Sequence, residues 1–301
     1  MIDTHVHALS PDLDRYPLRP TPPDLDWYHD PRAAGTPATL LEQFTRAGVE
    51  GAVFIQAFSA YGADNRYAVD AANSDPRRLR SVVLISATEF DPTTKLAAWV
   101  DAGASGLRVI CSKASDSLAF DQAVPVIDHP VSRALIRRAH ELKIAIVLTM
   151  PKLLQTDAAK LVSLLEENPE LHFVIDHGGF PSIDNLCEGP PYPNATDLFS
   201  FARYPGAHVK VTTIPLDTAR AIDVEEPRRF VDELARHFGP ERLMWGSNWP
   251  TSPLWSSQPN RTYEELVELG RFAFSSFDAR ERDASLDTVP RGIFGFGASN
   301  E

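Results

Sequence analysis

Apolar residues in this chain gather into short continuous runs, and between those runs they recur every three or four positions. The continuous runs predict β-strands at 2–7, 51–56, 81–86, 106–110, 144–149, 171–177, 209–212 and 242–248. The periodic stretches predict helices at 39–48, 65–73, 94–102, 132–142, 157–167, 197–203, 227–238 and 263–274. Thr39 and Glu42 stand at capping-box spacing, and Gly48 ends the apolar pattern of Leu40, Leu41 and Phe44. Strands that are apolar throughout are buried on both faces, which calls for a parallel sheet covered by its crossover helices. Eight of them alternating with helices in 301 residues predict an α/β protein, a (β/α)8 TIM barrel built as one domain over 1–301. An open doubly wound sheet is the competing architecture, but neither GxGxxG nor a GKS/GKT phosphate loop follows a strand.

Two segments stand outside the repeat. Residues 10–36 are rich in Pro and Asp without periodicity, as expected of a lid or binding loop. Residues 278–301 form a tail in which Ile293 and Phe294 are expected to pack beneath the barrel.

The carboxyl ends of barrel strands share one mouth, so polar residues there converge. The strands bring His5 and His7, Gln56, Ser86, Arg108, Thr149, His177, Lys210 and Asn248. His5 and His7 alternate with Thr4 and Val6, which places both imidazoles on one strand face, where they suit a metal ion. Two polar residues at a strand end are the plainer explanation of HxH, and an ordinary strand-end role stays open for Gln56 and Ser86. His29, His129, His140 and His237 read as surface residues, and His172 and His208 as strand starts at the opposite rim.

Composition narrows the partners. A formal net charge of −12 disfavours nucleic acid and anionic membranes, but leaves a small anionic substrate open. No stretch approaches the roughly 18 apolar residues of a membrane span, and no leader precedes the first strand. Cys111 and Cys187 lie far apart and read as reduced thiols of a cytoplasmic protein. A homo-oligomer is neither required nor opposed.

Five segments then carry a resemblance. They are Ile2-Asp3-Thr4-His5-Val6-His7, Asp64-Asn65-Arg66-Tyr67, Gly106-Leu107-Arg108, Val174-Ile175-Asp176-His177-Gly178-Gly179 and Arg242-Leu243-Met244-Trp245-Gly246-Ser247-Asn248-Trp249-Pro250. In this order, over nearly the whole chain, they resemble the amidohydrolase-related (amidohydrolase 2) family of the metal-dependent hydrolase superfamily, and within it the lactonase-like branch. The resemblance implies a barrel, a small-molecule hydrolase, and a catalytic centre containing His5, His7 and His177. Two positions depart from it: Thr149 or Met150 stands where metal-binding relatives carry a fifth-strand histidine, and Asn248 stands where they carry an aspartate. An amide oxygen accepts a hydrogen bond but cannot take a proton from water.

The expected chemistry is hydrolysis of a small carboxylate-bearing lactone or similar cyclic ester. His5 and His7 would polarise the carbonyl, His177 would act as general base because its ordinary pKa lies near working pH, and Asn248 would orient water or substrate. Arg108 and Lys210 would hold the substrate carboxylate, with Gln56, Thr149, Trp27 and Trp249 as further substrate contacts. An internal ion pair across the mouth is the alternative for Arg108. His5, His7 and His177 suffice as ligands for a divalent metal, zinc first, so a metal-assisted and a histidine-only scheme both stand; no organic cofactor is expected. The rival functions are a metal-dependent, non-oxidative decarboxylase of an aromatic or unsaturated acid, and a non-catalytic binding barrel that has lost its base at Asn248.

Overall fold

A computed structural model describes residues 1–20, 28–29, 35–110, 127, 129–151, 153–154, 158–251 and 260–297. Trp27, Cys111 and part of the segment 10–36 lie outside the described residues. The eight strands are β1 Ile2–Val6, β2 Gly51–Ile55, β3 Leu79–Leu84, β4 Gly106–Ile110, β5 Ala145–Thr149, β6 Phe173–Ile175, β7 Ala207–Thr212 and β8 Leu243–Gly246. Each pairs in parallel with the next in sequence. The seam between first and last closes through a Val6–Trp249 bridge, with Asn248 N donating to His5 O (2.8 Å) and His7 N donating to Trp249 O (2.7 Å). This is the (β/α)8 barrel that the pattern predicts. Among the described residues no helix is long and apolar enough to cross a membrane.

Boundaries differ where local chemistry competes with periodicity. The first helix is Pro37–Arg46, capped by Thr36, whose hydroxyl accepts from Thr39 N; Thr39 is therefore inside it and is not the cap. Pro37 can open a helix because the first turn needs no N–H from it. β3 starts and ends two residues earlier than the apolar run 81–86, which leaves Ser86 beyond the strand. β6 is cut to three residues because Asp176–Gly179 coils into a 3-10 turn, with His177 at φ 55° and Gly178 at φ 57°. Tyr16, from the predicted lid, packs on Tyr67 at 4.8 Å between ring centroids and donates to Asp70 (2.6 Å), which ties that segment to the helix Arg66–Asn73.

Strand residues alternate between two apolar clusters. Ile2, Val53, Ile55, Val82, Val174 and Met244 share one with Phe294 and Phe296 of the tail, so these line the barrel interior and its plug. Phe54, Leu107, Ile146, Leu148, Val209 and Trp245 belong to the larger cluster that includes the helices' buried faces. In β1 this alternation contains a break. Ile2 pairs with Gly51 and Asp3 with Ala52, but Val6 pairs with Phe54, so β1 carries one residue more than β2 in between. The bulge moves Val6 into the outer cluster although Ile2 is in the inner one, and it turns His5 and His7 inward.

Asp3 clamps that bulge. Its buried carboxylate accepts from His5 N (3.0 Å), Ser247 N (2.9 Å) and the Tyr263 hydroxyl (2.8 Å), and so joins β1, the end of β8 and the helix Tyr263–Ala273. Gly246 makes room: a Cβ there would lie 2.6 Å from the His5 Cβ. Burial pushes the Asp3 carboxyl up to about 6 against the pull of its hydrogen bonds. The folded protein thus holds the Asp3 proton more tightly than the unfolded chain does. The group favours folding most at low pH, and that contribution is lost as pH rises from about 4 to about 6. At neutral pH the ionised group costs on the order of 3 kcal/mol. Asp3→Asn keeps the acceptor for both amides and can donate to the tyrosine oxygen. In urea unfolding at pH 7 the variant should be at least as stable as the parent, by up to about 3 kcal/mol, with the gap closing toward pH 4. A loss of stability that is the same at every pH would contradict this account.

Candidate active site

The residues at the strand ends build a closed polar cluster around His5. The His5 and His7 Nε2 atoms face each other at 3.3 Å, and the His5 ring lies 4.7 Å from that of His177. Each ring is held from behind. His7 Nδ1 sits 3.0 Å from the Ile55 carbonyl, which can only accept, so that nitrogen carries the proton and Nε2 is bare. His177 Nδ1 is tied to the Thr212 hydroxyl at 2.7 Å. His5 Nδ1 faces Asp176 Oδ1 at 3.4 Å. All three imidazoles are neutral at ordinary pH. Burial lowers His5 well below its usual value; burial and then Arg108 bring His7 to about 4; burial, which outweighs Asp176, takes His177 to about 3. His5 lies between two acceptors, the bare His7 Nε2 on one side and the Asp176 carboxylate on the other, and has one proton to offer them.

Asp176 is the member that strand-end reasoning passed over. Its carboxylate is fully buried, with Thr149 Oγ1 donating to Oδ2 (3.0 Å) and Lys210 Nζ 2.9 Å from Oδ1. Burial alone would raise this carboxyl, but Lys210, His5 and His177 together hold it well below the usual range. The signal was available: Asp176 shares strand parity with the inward-facing Val174 and directly follows β6.

The other expected residues divide. Arg108 is buried at the mouth, with Nε donating to Thr149 Oγ1 (3.2 Å) and Nη1 to Gln56 O (2.8 Å). Among the described residues no carboxylate lies within ion-pair distance of it. Lys210 is a correction: as a fully buried side chain paired with Asp176, its charge is committed inside the barrel and is not presented to a substrate. Gln56 is another, since its fully buried amide donates to Gly62 O and Asp64 O, the connection before the helix Arg66–Asn73. Thr149 bridges Arg108 and Asp176. Asn248 is buried at φ 57° next to His5, so it and His177 both hold the left-handed backbone that non-glycine residues rarely adopt. Trp249 is half-buried, edge-on to Tyr263. Asn65 exchanges two hydrogen bonds with the backbone of Leu84 (2.8 and 2.9 Å), which explains its place among the motif residues. His29, His129, His140 and His237 are exposed.

The donor set fits a divalent metal ion. His5, Asp176 and His177 each offer a ligand atom, all within 4.8 Å of one another. The separation of the facing Nε2 atoms also suits an ion, since two imidazoles bound tetrahedrally at about 2.0–2.1 Å stand about 3.3 Å apart. His5 Nδ1, Asp176 Oδ1 and Lys210 Nζ are in ion-pair contact without hydrogen-bond geometry, so the centre retains buried polar atoms that need a partner.

Comparison with known proteins agrees with this architecture. The family described as Amidohydrolase matches residues 2–294. An L-fucono-1,5-lactonase of Burkholderia ambifaria is 26% identical over 219 residues, which are 72% of this chain and 71% of that protein. A putative 2-pyrone-4,6-dicarboxylic acid hydrolase from Pseudomonas putida superposes with a TM-score of 0.74 at 24% identity, over 100% of this chain and 98% of that one. A zinc-bound amidohydrolase from Burkholderia multivorans does so with a TM-score of 0.71 at 19% identity, over 98% and 99%.

The Asp176–Lys210 pair has a measurable signature. Lys210→Met leaves a carboxylate buried without its cation and should cost about 3–5 kcal/mol in urea unfolding. The double variant Asp176→Asn/Lys210→Met removes both charges, keeps the Thr149 bond and should regain most of that loss. Additive single and double effects would mean that the two groups do not interact as described.

Proposed function

The chain belongs to the amidohydrolase family, a family of hydrolytic enzymes, and from that premise we propose that it opens a small, carboxylate-bearing lactone or similar cyclic ester. The observation that carries this reading is the pair of inward imidazoles facing each other 3.3 Å apart, each fixed from behind. The bare His7 Nε2 only accepts, so the pair would act on a carbonyl oxygen through a proton on His5 Nε2 or a cation held between the rings. Likeness to the fuconolactonase and the pyrone-dicarboxylic acid hydrolase supports a lactone as the class of ester.

The charge of the site supports an acid as the substrate's second feature. Arg108 and Lys210 bring two positive charges and Asp176 one negative, with the histidines neutral. Asp3, ionised at neutral pH and interacting with Lys210, supplies a second negative charge, so the surplus is local: among the described residues the guanidinium has no carboxylate within ion-pair distance. A substrate carboxylate neutralises it, and Thr149 and the Gln56 carbonyl hold the guanidinium in position to receive one. Zinc is the ion this donor set suits best; it would be held by His5, Asp176 and His177, with His7 facing His5, and would supply Lewis-acid polarisation of the carbonyl.

With Nδ1 tied to Thr212, His177 has only Nε2 for chemistry; where no ion occupies that nitrogen, it takes the water proton and passes it to the ring oxygen that leaves. Its pKa of about 3 corrects the expectation of an ordinary histidine near neutrality, and burial is the main reason. A base that weak accepts a proton only while negative charge grows beside it. Once protonated it is a strong acid, suited to a leaving alkoxide. Asn248 orients the water through its amide.

Two substitutions test the reading against a panel of lactones with and without carboxylates. Arg108→Gln should raise KM for the acidic lactones by about 10- to 100-fold and leave kcat little changed, as expected for about 1.5–3 kcal/mol of charge-assisted binding. His177→Ala should abolish turnover without lowering the melting temperature. The acid limb of kcat/KM should lie below pH 5, because no histidine of the site titrates near 6.5. Thermal stabilisation by every lactone with no turnover would replace this reading by the binding-barrel one.

A further inference from the structure

At the pole opposite the histidines, the first residues of β5 and β6 and the helix Val289–Phe294 border a cavity of about 370 Å³. That is within the range of small-molecule sites. Its walls are apolar, with Ile144, Phe173 and Ile293 among them, and the ionisable side chains lining it are His140, Lys143 and His172. Among the described residues no carboxylate lines it, although the chain carries an excess of twelve acidic charges. Among the described residues none of the three side chains takes part in a hydrogen bond or an ion pair.

Lys143 adds an independent observation. It follows the helix Pro130–Glu141 with φ +56°, where glycine is at ease and a lysine is strained. The exposed carbonyls of that helix end favour a nearby cation, but Arg138 and His140 in its last turn already meet that need. What the strained position adds is a lysine, itself exposed to solvent, among the residues that line the cavity.

We propose that this cavity is a second binding site, for a small carboxylic acid with an apolar body. The carboxylate is received by Lys143, His140 and His172, and the body lies against Ile144, Phe173 and Ile293. The site is independent of the chemistry assigned to the mouth.

The probe is 2-naphthoate, followed by its fluorescence and by calorimetry, with 2-naphthylmethanol as the uncharged control. Lys143→Gly should weaken naphthoate binding about tenfold or more while the melting temperature holds or rises, because the glycine relieves the backbone. Gly292→Phe should abolish binding by filling the cavity; a Cβ at that position meets nothing within 4 Å, and an unchanged melting temperature checks that the ring is accommodated. Arg108→Gln, which removes the cation of the mouth, should leave this binding unchanged. The proposal is overturned if naphthoate affinity is indifferent to Lys143→Gly and Gly292→Phe, if Arg108→Gln removes it, or if the alcohol binds equally well.

Discussion

A parallel strand has two faces, and a residue cannot change face without changing register. Ile2 and Val6 are both even-numbered and apolar, so an unbroken β1 would send both into the barrel interior and point His5 and His7 at the helices. One extra residue between Asp3 and Val6 reverses the parity midway along the strand. Below the break, Ile2 serves the interior core; above it, two imidazoles enter the mouth. The Asp3 carboxylate holds the break in place by gathering donors from β1, β8 and the helix packed over them, and Gly246 yields the space it needs. Without this local irregularity the barrel would still form, but the site would not.

The second requirement is charge. A cluster of His5, His177, Arg108, Lys210, Asp176 and Asp3 with almost no solvent access, bordered by the half-buried His7, must be nearly balanced within itself. Asp176 performs most of that balancing. It takes the Lys210 ammonium and the Thr149 hydroxyl and stands behind His5, while Thr149 also carries the Arg108 guanidinium. The imidazoles are thereby kept neutral and oriented, and among the described residues Arg108 is left without a carboxylate at ion-pair distance. A hydrolytic site that must receive an anion and then manage growing negative charge is served by that imbalance.

Other features follow from the same two constraints. His177 sits in left-handed backbone where β6 gives way to a tight turn, and Asn248 does so where the chain after β8 still pairs with β1 through His5 and Trp249.

Much was legible in the residues alone. Continuous apolar runs separated by amphipathic stretches determine eight buried strands with helical crossovers, because only a covered parallel sheet buries both faces of a strand. Barrel geometry then assigns every strand-end residue to one mouth, which is enough to name His5, His7, His177, Arg108 and Asn248 as neighbours. What periodicity cannot carry is whether a given polar side chain faces a substrate or another part of the chain. Lys210 and Gln56 ended against Asp176 and the 62–64 connection, and Asp176 became the hub, because partners in a barrel come from strands far apart in sequence and are chosen by side-chain reach and burial. The bulge in β1 is of the same kind: it is a mismatch between two strands, and it has no expression in either strand read by itself.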